Sequence, residues 1–371
     1  MDYYKENNMN AQQMYALNLD QVANAILHSG HQRTILVQGH MGTGKSSLLK
    51  MLAEKLPTHV PCYFDCTTKD LGDIAIPNFK SLGDDADFVR FVPNEELGIH
   101  HAKPVILMFD EFGKANPAVK QGVRRTMLER VVGATPLPEG SIVFATTNLG
   151  AEGVGDVLMS HQRNAITVVT LRKPDNVEWI EWGINNNIDP TILGWAKDNP
   201  HLFDGFEDIQ DPEDNPYIFH PKAQRAAFVT PRSLEAASDY LHKRHMFDDQ
   251  TLTSLLMGTI GERGAMDLTA FVKLADQLPS LQSIKDDPLT AKVPDSAAAV
   301  CMVVYRSLAT MSADWIDQWM TYMLRLDSSA QGMFGGQVSR DTYAHRKVVM
   351  TNKKFTEWAM ANNHMFAADK K

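Results

Sequence analysis

Two hydrophobic rhythms divide the chain. Up to about residue 172, short apolar runs of strand length alternate with stretches in which apolar residues return every three or four positions; beyond it only the helical rhythm persists. The run Ile35-Leu36-Val37 reads as a buried strand, and Leu48, Leu49, Leu52 and Leu56 follow at helical spacing. Further strand-like runs are "VPCYFDC" (60–66), "KPVILMFDEF" (103–112), "GSIVFATTN" (140–148) and "AITVVTL" (165–171). Five strands with helices between them predict an α/β domain with a mostly parallel sheet. In such sheets ligand groups gather at the carboxyl ends of the strands.

After residue 172 the segments "PDNVEWIEWGINN", "TPRSLEAASDYLHKRH", "DQTLTSLLMGTIGERGAMDLTAFVKLADQLP" and "AAVCMVVYRSLATMSADWIDQWMTYMLRL" are all helical in period. The reading is a core over 1–172, a helical second domain over 173–280 and a helical C-terminal extension over 281–371. The Pro- and Asp-rich stretch "SIKDDPLTAKVPDS" (283–296) marks the last boundary. Between 199 and 222 an acidic, proline-punctuated stretch predicts an irregular surface loop.

Composition narrows the setting. The chain has 371 residues, of which 44% are hydrophobic, enough for two or three domains. No apolar run reaches the ~18 residues of a membrane span. The polar start "MDYYKENNMNAQQMY" lacks the apolar centre of a secretion signal, so a soluble, cytoplasmic protein is expected. Cys62, Cys66 and Cys301 sit in apolar settings and read as buried structural thiols. Adjacent His100 and His101 do not make a joint metal site. A net charge of −9 argues against a generally adhesive nucleic-acid surface, although a local basic channel stays open.

The chemistry begins after the first strand. Gly39-His40-Met41-Gly42-Thr43-Gly44-Lys45-Ser46 matches the phosphate-binding pattern G-x-x-x-x-G-K-[ST], with the strand before and the helix after that the pattern requires. The glycines let backbone N–H groups approach phosphate oxygens at a helix N-terminus. Lys45 would reach the β and γ phosphates and the Ser46 hydroxyl would ligate Mg²⁺; the nucleotide-contacting set runs through Ser47. The third strand ends in Asp110-Glu111, a pair of carboxylates that is costly at a buried strand edge unless something positive meets it. With Mg²⁺ there, Asp110 would hold the ion and Glu111 would orient the attacking water.

Together these motifs, with "FATTN" ending in Asn148 and "TPRSLE" carrying Arg232, resemble the AAA+ ATPases and specifically the MoxR group, over about residues 15 to 245. The resemblance implies a P-loop NTPase (AAA+) core, a helical lid and ATP with magnesium as cofactors. It implies that Asn148 is the sensor 1 residue helping to place water near Glu111, and that Arg232 is sensor 2, reaching the γ phosphate of its own subunit. It also implies a homo-oligomeric ring, a hexamer, in which an arginine finger completes the neighbouring site. Arg163, just before the fifth strand, is the candidate finger. Related sequences often carry a second arginine where this chain has Ala165, so Arg124, Arg125 and Arg130 on the preceding helix remain alternatives.

Members of the group also carry an inserted loop facing the ring opening, and "GDDADFVRFVP" with Phe88, Val89 and Phe91 resembles it; those residues could grip a polypeptide or pack on their own sheet. The favoured function is Mg-dependent ATP hydrolysis driving chaperone-like remodelling of a protein, with a von Willebrand factor type A protein as partner and a client the sequence does not name. A nucleic-acid motor or loader is the alternative, though no nucleic-acid-binding module is visible. A P-loop kinase fits less well than hydrolysis.

Overall fold

The computed structural model describes residues 15–78, 89–149, 164–275 and 278–363. The chain forms two compact units, Met1–Lys173 and Pro174–Lys371.

The first unit is built on five parallel strands, β1 (Ile35–Gly39), β2 (Val60–Asp65), β5 (Val105–Asp110), β8 (Ile142–Asn148) and β9 (Thr167–Leu171), in the order β2-β5-β8-β1-β9. The five runs read from the sequence are these five strands. Both β5 and β8 are buried at every position, as central strands covered on both faces must be. The strand alternation then sorts side chains into two cores. Ile35, Val37, Ile106, Met108 and Phe144 pack under α1 (Leu19–Ser29) and α2 (Ser47–Lys55), meeting Val22, Ile26, Leu48 and Leu52. Leu36, Leu107, Phe109, Val143 and Ala145 pack with Val119, Val123 and Met127 of α3 (Pro117–Glu129). Each fully buried Phe or Leu contributes about 1.5–3 kcal/mol.

The helices start where their sequences say. Asn18 and Gln21 close a capping box at α1, and the Asn116 side chain accepts from the N–H of Val119 ahead of Pro117 at α3. Two short hairpins stand apart from the main sheet. One pairs β3 (Ala75–Asn78) with β4 (Arg90–Pro93), and the other pairs β6 (Val131–Val132) with β7 (Thr135–Pro136). Phe91 and Val89 at the first hairpin are exposed, whereas Phe88 lies outside the described residues.

The second unit is helical: α4 (Asn176–Asn185), α5 (Pro190–Asp198), α6 (Pro231–His242), α7 (Asp249–Ala275), α8 (Leu281–Asp286), α9 (Ala297–Ala309), α10 (Ile316–Met323), α11 (Ser328–Ser339), α12 (Arg346–Met350) and α13 (Lys353–Ala361). One core runs from Trp179 through Trp195, Leu256, Val304 and Trp319 to Trp358, so residues after 281 pack into the same body as those before it. All six tryptophans of the chain, Trp179, Trp182, Trp195, Trp315, Trp319 and Trp358, lie in this unit.

Two stretches differ from their sequence reading. The Pro- and Asp-rich segment 283–296 is packed: Ile284 and Ala291 are buried, Arg325 donates to the carbonyls of Pro288 and Ala291, and Tyr322 donates to that of Lys292. Side chains from α10 and just beyond it satisfy carbonyls that lie past the end of α8. The stretch 199–222 likewise folds inward. Leu202, Phe203 and Ile218 are buried, and Arg225 donates to the carbonyls of Asn215, Ile218 and Pro212.

Helix α7 contains a break. Gly261 sits at φ 81° and ψ 165°, and a Cβ there would lie 2.6 Å from the carbonyl oxygen of Ala227. Glycine alone tolerates both conditions.

Candidate functional site

The carboxyl ends of β1, β5 and β8 deliver their last residues to one place. Gly39 ends β1 and stands in register with Asn148 at the end of β8, while β5 ends in Asp110. From Gly39 the chain turns through His40, Met41, Gly42, Thr43, Gly44, Lys45 and Ser46 into α2, which Ser47 opens. Gly42 and Gly44 hold φ of 72° and 93°, which lets the turn close tightly. Thr43 Oγ1 donates to the His40 carbonyl at 2.8 Å and Ser47 Oγ to that of Gly44 at 2.6 Å, so the loop is braced by its own hydroxyls.

Lys45 is buried, and its ammonium is surrounded by acceptors. Nζ donates to the carbonyl oxygens of Gly39 (2.8 Å) and His40 (2.7 Å) and to Asn148 Oδ1 (2.8 Å). With Oδ1 engaged, the other end of the same amide faces Glu111: Nδ2 donates to Oε1 at 3.3 Å and Oε2 at 3.4 Å. Three residues singled out in sequence, from three separate motifs, thus form one hydrogen-bonded chain. Because β8 lies between β1 and β5, only the residue ending β8 can bridge loop and carboxylate.

Asp110 is buried, and both its oxygens accept hydroxyl hydrogen bonds, Oδ1 from Thr146 and Oδ2 from Tyr63 at 2.9 Å. Burial of the phenol, and then the hydrogen bond and charge of Asp110, raise the Tyr63 pKa and keep it a donor. Glu111 adopts φ 50° and ψ 34°, the left-handed region. For a residue with a Cβ this costs about 1–3 kcal/mol. The conformation turns the chain out of the strand, and the Glu111 N–H meets Thr146 Oγ1 at 3.4 Å. Tyr63 and Thr146 escaped the sequence reading: each is an ordinary strand residue whose role depends on which strand lies beside it.

The donors Ser46 Oγ and the Asp110 carboxylate are hard oxygens, the type Mg²⁺ takes from protein when phosphates and water supply the rest. No group of three or more His, Cys, Asp or Glu among the described residues could hold a metal by itself. These residues fit the ion.

The arginines separate. Arg163 lies outside the described residues. Arg232 is in the first turn of α6, in the second unit, exposed, behind a start capped by Thr230 and Ser233. Arg130 donates to Thr34 Oγ1, to the carbonyl of Gly30 and to that of Met127, and burial lowers its pKa to about 10. It ties the end of α3 to the start of β1. Arg125 pairs with Glu129 at 2.7 Å and donates to the Gly133 carbonyl.

A parallel sheet carrying a phosphate loop between its first strand and helix, with paired carboxylates on one neighbouring strand and a polar residue on the strand between, defines a P-loop NTPase. Residues 35–168 match the model of the AAA family, "ATPase family associated with various cellular activities", so the first unit carries an AAA ATPase domain. No curated protein matches the chain. Among solved structures, the RuvB Holliday junction branch migration motor of Thermotoga maritima is 14% identical and aligns over 70% of each chain with a TM-score of 0.36. A putative ATPase from Cytophaga hutchinsonii is 17% identical over 47% of this chain and 52% of its own, with a TM-score of 0.34. Among the described residues no helix is long and apolar enough to cross a membrane.

Proposed function

We propose that this chain hydrolyses ATP in a Mg²⁺-dependent manner, as a MoxR-type AAA+ ATPase that assembles into a homo-oligomeric ring and remodels a protein partner. The observation that carries the reading is the Lys45–Asn148–Glu111 chain, which joins a phosphate-binding cation to a carboxylate through one amide. The N–H groups of the loop and Lys45 bind and orient the triphosphate; Glu111 accepts a hydrogen bond from the attacking water; Asn148 holds Glu111 at a fixed distance from the loop. Bound at Ser46 and Asp110, the ion would neutralise charge on the β and γ phosphates. Arg232 acts on the γ phosphate of its own subunit and Arg163 on that of its neighbour. The exposed Val89 and Phe91 of the β3–β4 hairpin support contact with a polypeptide client, and a von Willebrand factor type A protein is the proposed partner.

ATP turnover with and without candidate proteins and DNA tests this. Wild-type chain should release phosphate from ATP only with Mg²⁺ present. Lys45→Ala should lose tight nucleotide binding, whereas Glu111→Gln should bind ATP and trap it, with hydrolysis cut to a small residual rate. Unaltered turnover by Glu111→Gln would remove Glu111 from the mechanism, and stimulation by DNA but by no protein would move the assignment to a nucleic-acid motor.

A further inference from the structure

Glu111 has a second contact that the chemistry above leaves unused. The Lys114 ammonium lies 2.9 Å from Glu111 Oε2, the oxygen that also accepts from Asn148 Nδ2 at 3.4 Å. We propose that Lys114 is a positioning residue for hydrolysis: with Asn148, its ammonium fixes the plane of the Glu111 carboxylate, leaving the remaining lone-pair direction for the attacking water. The proposal rests on the reading of Glu111 as the residue that meets that water.

The backbone brings the two residues together. Glu111 is the N-cap of the single 3₁₀ turn Phe112–Lys114, so the lysine closes the turn that the glutamate opens. The turn closes with the Lys114 N–H on the Glu111 carbonyl at 2.9 Å. It is anchored on one side by buried Phe112 and on the other by Lys120, whose Nζ donates to the Gly113 carbonyl at 2.7 Å. The braced turn thus fixes where the lysine leaves the backbone, one turn from the carboxylate.

Stability does not account for the pair. Its side chains are 41% and 28% exposed, and ion pairs so placed add at most about 1 kcal/mol. Orientation does account for it. A carboxylate has two oxygens and about four lone-pair directions. Asn148 bridges both oxygens, which sets the distance to the loop but lets the plane rock about the amide; a second donor on Oε2 alone removes that freedom. Holding a reacting group within a narrow angular range is worth an order of magnitude or more in rate.

The test is steady-state and single-turnover ATP hydrolysis by the full chain with Lys114→Met and Lys114→Arg, alongside the affinity of a fluorescent ATP analogue and the melting temperature. Lys114→Met should lower kcat about tenfold with KM and analogue affinity unchanged, because the group acts after binding. Lys114→Arg should recover to within about threefold of wild type, since the cation returns. In the Glu111→Gln background, Lys114→Met should change the residual rate no further, as expected of a residue acting only through Glu111. A tenfold fall that persists in that background, or one accompanied by a matching loss of melting temperature, would overturn the proposal in favour of a general structural role. Turnover by wild type with no change in Lys114→Met overturns this inference alone; a wild-type chain without turnover overturns the ATPase reading and this one with it.

Discussion

Asn148 matters because its carboxamide has two unlike ends. One accepts from Lys45 and the other donates to Glu111, so a carboxylate of the same shape would keep the first contact and reverse the second. Asn148→Asp is expected to keep the loop lysine in place, repel Glu111 and lower kcat about 10²-fold, the scale of losing one positioned hydrogen bond at a reacting centre. Rapid-quench measurement of bound ATP cleavage checks it, and a rate within threefold of wild type would contradict it. Lys45, Asp110, Glu111 and Asn148 were legible in the sequence because each belongs to a local string whose residue types are chemically demanding. Tyr63, Thr146 and Lys114 were not. The first two act across strand pairings, and the third depends on a single 3₁₀ turn that begins where Glu111 enters the left-handed region. Burial also leaves a mark at Cys66, whose thiol pKa is pushed up to about 12, desolvation leading and the charges of Asp65 and Asp110 adding to it. The folded state therefore favours the thiol, and its advantage is full below the ordinary value of 9.0 and fades as pH rises toward about 12. Denaturant unfolding followed upward from pH 9 should show falling stability, with a shallower slope in Cys66→Ala.

At the level of elements, the regular pieces were legible and the irregular ones were not. Apolar runs identified the five sheet strands, most plainly β5 and β8, which are covered on both faces and have no polar face to confuse the pattern. Hairpin β6–β7 has two residues per strand, too few for any periodicity. The segment 283–296 looked like a linker because proline and aspartate break helices, yet Arg325 and Tyr322 hold its carbonyls in place. Helix α7 falls in a stretch that is helical in period throughout, and the interruption at Gly261 gives a direct prediction. Gly261→Ala would force a Cβ against the Ala227 carbonyl in a backbone conformation that only glycine holds cheaply, a cost of about 1–3 kcal/mol from the backbone alone. A fall of roughly 5 °C or more in the melting of the second unit is expected. Gly258, which has open space around it, is the control: alanine there should be neutral or stabilising.

For the whole molecule, the proposed ring carries its own test. Heterologous contacts make rings when the rotation between subunits closes, and a nucleotide lying between subunits would favour the assembled state. Light scattering with a non-hydrolysed ATP analogue should report a hexamer, and a monomer with full ATPase activity would contradict the ring. Mixing Arg163→Ala with Lys45→Ala should restore part of the activity, since some junctions then hold a sound loop and a sound finger; mixing Arg232→Ala with Lys45→Ala should not. The placement of the tryptophans decides how such experiments can be watched. Every indole of the chain belongs to the helical unit, and the unit holding the phosphate loop has none. Excited at the red edge of its absorption, the protein emits from one unit only. Its native glow is thus a private record of the helices, silent about melting of the sheet, and a single indole introduced beside the loop would give the nucleotide domain a colour of its own against a background already assigned.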